Sequence, residues 1–307
     1  MKLPCIAQVV LLVCALSAAW PAAAADADRP ARMLWAGSSS LYYHNQPKVC
    51  AQWLSDRGNM PAIAELVGRS GTGVHVYLRP DFKAEYGLKP GQSILDKIAN
   101  GDYDYLVLQI PAEFINGPEG DEHDRSLDVY CKAIRAAGGQ PVFYEMGWRR
   151  DAAAEVGREK IFRAAVRNQV TLFAPCSTAW QRVRTERPEI ELHNPPDTTH
   201  PGTLGCYLNQ CCFFAALTGK RPEGLPHELL IWWHMDAEEK AALDDRLRTA
   251  QFDAYDAALP TWMKRHVLNS RPEKVPAELA AYLQQVAWEE YQAVQDRLKQ
   301  AIAAENH

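Results

Sequence analysis

The sequence predicts an α/β fold: a three-layer α/β/α sandwich around a five-stranded parallel sheet, followed by a helical C-terminal extension. Three observations predict it. Apolar runs of strand length alternate with segments whose apolar residues recur at helical spacing. The apolar runs lack the polar alternation of a half-exposed strand, which is typical of parallel sheets covered on both faces. Beyond about residue 222, only amphipathic helical patterns remain.

The predicted strands and helices follow one another in the order that β-α-β crossovers require. The strands are apolar runs at residues 32–37, 74–78, 104–109, 141–147 and 170–176. The helices between them have apolar residues three or four apart, in segments 48–56, 61–69, 93–100, 125–139 and 151–169. A further helix is predicted from about Thr203 to Thr218, with Gly219 as its stop signal.

The N-terminus has the pattern of a secretory signal peptide. Lys2 precedes an apolar run over residues 6–19, and small residues follow at 22–25, where cleavage is expected. The apolar run is short for a membrane span, so we expect a secreted or periplasmic protein with no span after cleavage. The predicted sections are a signal peptide at 1–25, an α/β domain at 30–222 and a helical extension at 223–307 packed on it. The oligomeric state stays open, since the last helix has the pattern either for dimerisation or for packing on its own domain.

Composition excludes several classes of function. The chain has 307 residues, 47% of them hydrophobic, which is enough for a large core. Its net charge of −5 and lack of a dense basic patch argue against nucleic-acid binding. Six cysteines follow the signal segment, but none form a CxxC pair, so disulfides stay open and no structural metal site is predicted. The acidic stretch at residues 121–124 is interpreted as a polar loop.

Three consecutive serines, Ser38 to Ser40, follow the first predicted strand in the segment WAGSSS. A serine hydroxyl is a weak nucleophile unless a base takes its proton and donors stabilise the oxyanion. Asp197 and His200 lie three residues apart in PPDTTHPG, after the fifth predicted strand. Because ligands of such folds bind beyond the carboxyl ends of the strands, a serine, a histidine and an aspartate can meet there.

These two segments resemble the first and last sequence blocks of the SGNH (GDSL-type) hydrolases. Gly37-Ser38-Ser39 matches the Gly-x-Ser of the first block, and Asp197 to Pro201 matches the Asp-x-x-His-Pro of the last. The resemblance covers roughly residues 32–225 and implies a flavodoxin-like sheet. It implies Ser39 as nucleophile, His200 as general base and Asp197 as the residue that orients it. Ser40 remains the alternative nucleophile if the turn is one residue later.

The middle blocks of the family match less well. The second block supplies an oxyanion-hole glycine, for which the sequence offers Gly71 or Gly73, with Gly71 preferred. The third block normally carries an asparagine amide, but here Glu113 falls near that position, and a carboxylate cannot donate. The Gln109 amide could replace it, and Asn116 is also near in sequence.

The predicted function is therefore hydrolysis of small-molecule or glycan esters through an acyl-enzyme, without a cofactor. The departure in the third block keeps open a second hypothesis from another class of protein. It is a catalytically impaired protein of the same fold that binds a glycan or another polar ligand.

Overall fold

The computed structural model describes residues 29–147, 152–232 and 235–305. The predicted signal peptide lies outside the described residues. A parallel sheet at the centre has the strand order β2-β1-β3-β4-β5, which is the flavodoxin-like order and confirms the predicted fold class. Its strands are β1 Ala31–Gly37, β2 Ala62–Gly68, β3 Tyr105–Pro111, β4 Gln140–Met146 and β5 Leu172–Ala174.

Helices cover both faces of the sheet and continue into the C-terminal region. They are α1 Ser39–Tyr42, α2 Gln46–Arg57, α3 Ile94–Asn100, α4 Ala112–Ile115, α5 Gly120–Ala136, α6 Ala152–Arg167, α7 Cys176–Glu186, α8 Thr203–Thr218, α9 Ala237–Thr249, α10 Ala254–Ala258, α11 Thr261–Leu268 and α12 Ala277–Glu305. Helix α8 has the predicted bounds, and Gly219 ends it in the left-handed conformation that glycine adopts easily.

Strand β1 shows why the apolar runs are continuous. Its side chains alternate between two cores: Met33 and Trp35 pack in the one that includes α2, α7 and α8, while Leu34 and Ala36 pack in the one that includes α3, α5 and α6. All four are fully buried. A strand covered on both faces has no polar position to show, and this is the pattern that the sequence displays.

The predicted second strand was wrong. Residues 74–78 form a short 3-10 helix, and the strand is β2, in the segment predicted to be a helix. Strand β2 is at the edge of the sheet, where polar and exposed residues interrupt its apolar pattern and imitate a helical repeat. In the 3-10 helix, Val74 and Tyr77 are buried at helical spacing, and the Tyr77 hydroxyl donates to Gly37 O at 2.6 Å.

The C-terminal region contains more than the predicted helices. An antiparallel pair, β6 Glu228–Trp232 and β7 Ser270–Lys274, joins them and was not foreseen. Helix α12 packs against α8 and α7, with Leu283 and Val286 buried in the core. The predicted boundary near residue 222 stays a prediction.

Three further details concern sequence-based expectations. Residues 121–124 lie in the first turn of α5, not in a loop, and α7 was not predicted. The six cysteines are all buried free thiols. Among the described residues, no helix has the length and apolar character needed to cross a bilayer.

Candidate active site

The turn after β1 exposes one of its three serines to solvent. Ser38 has an extended backbone, and Ser39 begins α1, so the Ser39 N–H has no acceptor within that helix. Ser38 and Ser40 are buried, with 5% and 2% of their surface exposed, whereas Ser39 is partly exposed. Ser39 is therefore the serine of this turn that a substrate can reach.

Gln109, on β3, holds this turn from below. Its Oε1 accepts the Ser38 N–H at 2.6 Å and the Ser38 hydroxyl at 3.1 Å. These two donors fix which end of the amide faces the turn, and its Nε2 points away, towards Met146 Sδ at 3.0 Å. Gly37 makes this approach possible, because a Cβ there would lie 2.4 Å from Oε1. The arrangement does not fit the predicted role of Gln109 as an oxyanion donor; it makes Gln109 a support of the turn.

The loop between α7 and α8 brings Asp197 and His200 together. Its two sides pair through an antiparallel bridge between His193 and Pro201. Asp197 Oδ1 accepts the N–H groups of Thr199 at 2.7 Å and His200 at 3.2 Å, while Oδ2 lies 2.5 Å from His200 Nδ1. Burial raises the pKa of Asp197, but these hydrogen bonds outweigh it and the pKa is lowered overall. Asp197 is thus held as a carboxylate against the imidazole.

The pairing with Asp197 sets the state of the His200 ring. An ionised carboxylate only accepts, so Nδ1 carries the proton and the Nε2 lone pair is free in the neutral ring. Nε2 is itself buried and has no hydrogen-bond partner among the described residues, although 21% of the His200 side chain is exposed. This is the arrangement of a general base whose substrate-side partner is not yet engaged.

Two aromatic residues after α1 connect the serine turn to the His200 loop. The Tyr43 ring stacks on His200, with centroids 4.4 Å apart and planes at 15°. His44 is buried; its Nδ1 accepts the Trp232 N–H at 2.8 Å, so Nε2 donates to Pro201 O at 3.0 Å. Burial lowers the pKa of His44 to about 3, which keeps the ring neutral. His44 therefore ties together the turn, the loop and β6.

Sequence reasoning missed the role of His44, for which there was one weak signal. His44 and Asn45 both have left-handed backbones, with φ of 58° and 54°. Asparagine tolerates this conformation better than most residues, so Asn45 marks a sharp bend. Nothing in the sequence shows which distant backbone groups the bend would bring to His44.

The correction of β2 places Gly71 three residues beyond the carboxyl end of that strand, next to β1 in the sheet. Gly71 is exposed with φ of +66°, and a Cβ there would touch nothing within 4 Å. Gly73, the alternative, packs against the His75 ring. Glu113 lies within α4, and Asn116 follows its last residue. The assignment of Gly71 as an oxyanion donor stays a prediction.

One further group has metal-ligand chemistry. The ligand atoms of His75, Glu119 and Glu122 lie within 4.8 Å of one another. The Arg79 guanidinium, however, pairs with both carboxylates, at 2.9 Å and 2.8 Å. Because Arg79 already supplies the positive charge between them, we interpret the cluster as an ion-pair network.

Comparison with known proteins adds little to this geometry. No protein-family model matches the sequence, and no curated protein matches it. Among solved structures, the chain is similar to a protein of Slackia heliotrinireducens that is provisionally assigned as an SGNH hydrolase, with 22% identity and a TM-score of 0.49. The likeness covers 62% of this chain and all of the other. Similarity at this level carries nothing about activity.

Proposed function

We propose that this chain is a serine hydrolase that cleaves carboxylic esters through an acyl-enzyme. One observation carries the proposal: Asp197 holds the His200 ring with its Nε2 unpartnered, beside the turn where Ser39 is the accessible serine. The Tyr43 stack and the His44 hydrogen bond join turn and loop. The proposal requires Ser39 Oγ to come within hydrogen-bond distance of His200 Nε2 when substrate binds, and such bonds often tighten only in the complex.

The proposed reaction uses the three side chains in turn. His200 Nε2 takes the Ser39 proton while Ser39 Oγ bonds to the ester carbonyl carbon, and Asp197 stabilises the imidazolium that forms. The N–H groups of Ser39 and Gly71 receive the oxyanion. Collapse of the tetrahedral intermediate breaks the bond to the alcohol, which leaves with the proton from His200. A water then attacks the acyl-enzyme by the same route, releasing the acid and restoring Ser39.

The substrate class follows from compartment and surroundings. The N-terminal sequence favours export, so we propose a secreted or periplasmic enzyme that acts on small acyl esters or on O-acylated glycans. The proposed site lies in a partly aromatic setting, since Tyr43 contacts both His200 and Trp232. Trp262, which is 38% exposed, contacts Tyr42, the residue before Tyr43. Such rings suit the apolar faces of an acyl group or a sugar.

One observation favours the second candidate, a binding protein without turnover. The amide that was expected to complete the oxyanion hole points to Met146 instead. Loss of one such donor typically lowers the rate about 10²–10³-fold. A hole with two backbone donors would then leave a weak enzyme or a protein that only holds its ligand.

Hydrolysis of p-nitrophenyl acetate separates the two candidates. The mature protein should turn over, and both Ser39→Ala and His200→Ala should fall to the background rate. Ser40→Ala is the matched control in the same turn, and it should retain most of the activity because Ser40 is buried. A wild type no faster than its Ser39→Ala variant would leave the binding protein as the better account, and a loss confined to Ser40→Ala would move the nucleophile by one residue.

A further inference from the structure

A groove follows the free edge of the sheet, away from Ser39 and His200. It has a volume of about 940 Å³ and follows the outer side of β2. Helix α10 lines it on one side and the segment from Tyr86 to Lys89 on another; the end of α3 lines it as well. Small residues, Ala62, Ala64, Ala254 and Ala258, leave room along it.

The floor of the groove is the hydrogen-bonding edge of β2. Successive residues of a strand direct their N–H and C=O to opposite sides. Gly68 faces outward, because its N–H donates to Tyr86 O and its O accepts from Glu85 N–H; Ala62, which donates to Ser55 Oγ, faces the same way. Ala64 and Leu66 lie two and four residues after Ala62, so their backbone N–H and C=O groups also point outward from the sheet.

Part of this edge has backbone groups that make no hydrogen bonds to the described residues. Among the described residues, the outward N–H and C=O of Ala64 and the N–H of Leu66 have no hydrogen bond, although these residues are only 8% and 7% exposed. Buried backbone polar groups are nearly always paired. From Ala62 to Leu66 the edge is about 13 Å long. It offers donors and acceptors at two-residue spacing, a pattern that an extended peptide matches.

One segment of the chain already pairs with the outer edge of β2. At the upper end of the groove, Tyr86 forms an antiparallel bridge with Gly68. One residue of this chain thus already pairs with the edge in antiparallel orientation, and the groove continues along the rest of β2. Helix α10 and the segment from Tyr86 to Lys89 flank the edge, so an added segment would lie between them.

Charge at the groove adds one element of specificity. Lys48 pairs with Asp253 and Asp256, and Lys97 pairs with Glu65. Lys89 has no ion-pair partner within the part of the chain that the structure describes. A carboxylate on the bound segment would complement it.

We propose that this groove binds an extended peptide that carries a carboxylate and small or apolar side chains, and that adds to β2 as a sixth strand of the sheet. Main-chain hydrogen bonds to Ala64 and Leu66 supply the recognition common to strand addition. The occupant is a segment of another polypeptide, and the site is independent of the proposed ester hydrolysis.

A selection with random dodecapeptides on phage tests the proposal on the immobilised full chain. Enriched peptides, made with a fluorescent label, should bind wild type and lose at least tenfold in affinity to Ala258→Trp, which fills the groove. Ala257→Trp is the matched control: it is exposed on the same helix but does not line the groove. Thermal unfolding of both variants confirms that they fold.

Hydrogen exchange locates the bound peptide. Binding should slow exchange of the Ala64 and Leu66 amides and leave the fully paired β3 amides unchanged, and Lys89→Gln should weaken binding of peptides that carry a carboxylate. No enrichment, or enriched peptides that bind Ala258→Trp as tightly as wild type, would overturn the proposal. Protection confined to the Ser39 turn would also overturn it, since the peptide would then occupy the candidate active site.

Discussion

The two segments that carry the candidate triad are held in different ways. In the loop with Asp197 and His200, the key hydrogen bonds join residues two or three positions apart. In the turn with Ser39, the key hydrogen bonds come from Gln109, which is 71 positions away from Ser38. The loop can therefore be recognised from a short motif, whereas the turn depends on which residue of β3 is beneath it.

The largest expected effect on activity comes from replacing Asp197, which makes the short-range hydrogen bonds of the loop. Asp197→Asn keeps an acceptor for the Thr199 N–H, so the loop stays folded, but it no longer fixes the proton on His200 Nδ1. We expect kcat for p-nitrophenyl acetate to fall about 10³–10⁴-fold. KM should change little. Equal kcat in Asp197→Asn and wild type would show that the His200 tautomer does not matter to turnover.

Removing the long-range hydrogen bonds between Gln109 and the serine turn should lower activity less than the replacement of Asp197. Gln109→Leu leaves the buried Ser38 N–H without an acceptor, which should lower the free energy of unfolding by about 1–3 kcal/mol. Displacement of Ser39 should lower kcat about 10–100-fold. Met146→Leu is the control on the other end of the amide and should stay within about threefold of wild type, because a thioether is a weak acceptor. If Gln109→Leu lost activity with no loss of stability, Gln109 would be an oxyanion donor after all.

His44 joins the two segments, so its replacement tests their connection. His44→Phe leaves Pro201 O and the Trp232 N–H unpartnered in a buried place. The free energy of unfolding should fall by about 2–4 kcal/mol in urea titrations. Tyr43→Phe is the neighbouring control and should cost under about 0.5 kcal/mol, since the Tyr43 hydroxyl makes one long contact, 3.4 Å, with Asn194. Equal losses of unfolding free energy in the two variants would mean that the hydrogen bonds of His44 do not stabilise the contact between turn and loop.

A carboxyl outside both segments should have the smallest effect on activity and sharpens the contrast with Asp197. Burial raises the pKa of Glu145 to about 7, although the Thr178 N–H and hydroxyl donate to it and lower the pKa. Between its ordinary value of 4.5 and 7, the folded state keeps a proton that the unfolded chain releases. Stability should therefore fall as pH rises through this range, by about 2–3 kcal/mol.

Glu145→Gln should remove that dependence without changing esterase activity. The measurement is the free energy of unfolding of both proteins at pH 4.5 and pH 8. Parallel pH dependence in wild type and variant would show that Glu145 does not hold its proton in the folded state.

The same contrast explains how far the sequence could be interpreted. The strands β1, β3, β4 and β5 are buried on both faces and have continuous apolar runs, so they were predicted correctly. Strand β2 is at the edge, where exposed Ile63 and half-buried Glu65 disrupt the run, and it was mistaken for a helix. Asp197 and His200 form a pair within one motif. Gln109 was selected correctly as a site residue, but the end of its amide that faces the turn depends on the Ser38 donors, which no spacing reveals.

The proposed mechanism requires Ser39 to be an activated nucleophile. Incubation of the protein without its predicted signal peptide with a fluorophosphonate, followed by intact-mass measurement and peptide mapping, tests this without knowledge of the natural ester. We predict a single phosphonyl adduct on Ser39 in the wild type, with labelling lost in Ser39→Ala and greatly slowed in His200→Ala. An unlabelled wild type, or an adduct that persists in Ser39→Ala, would contradict the account.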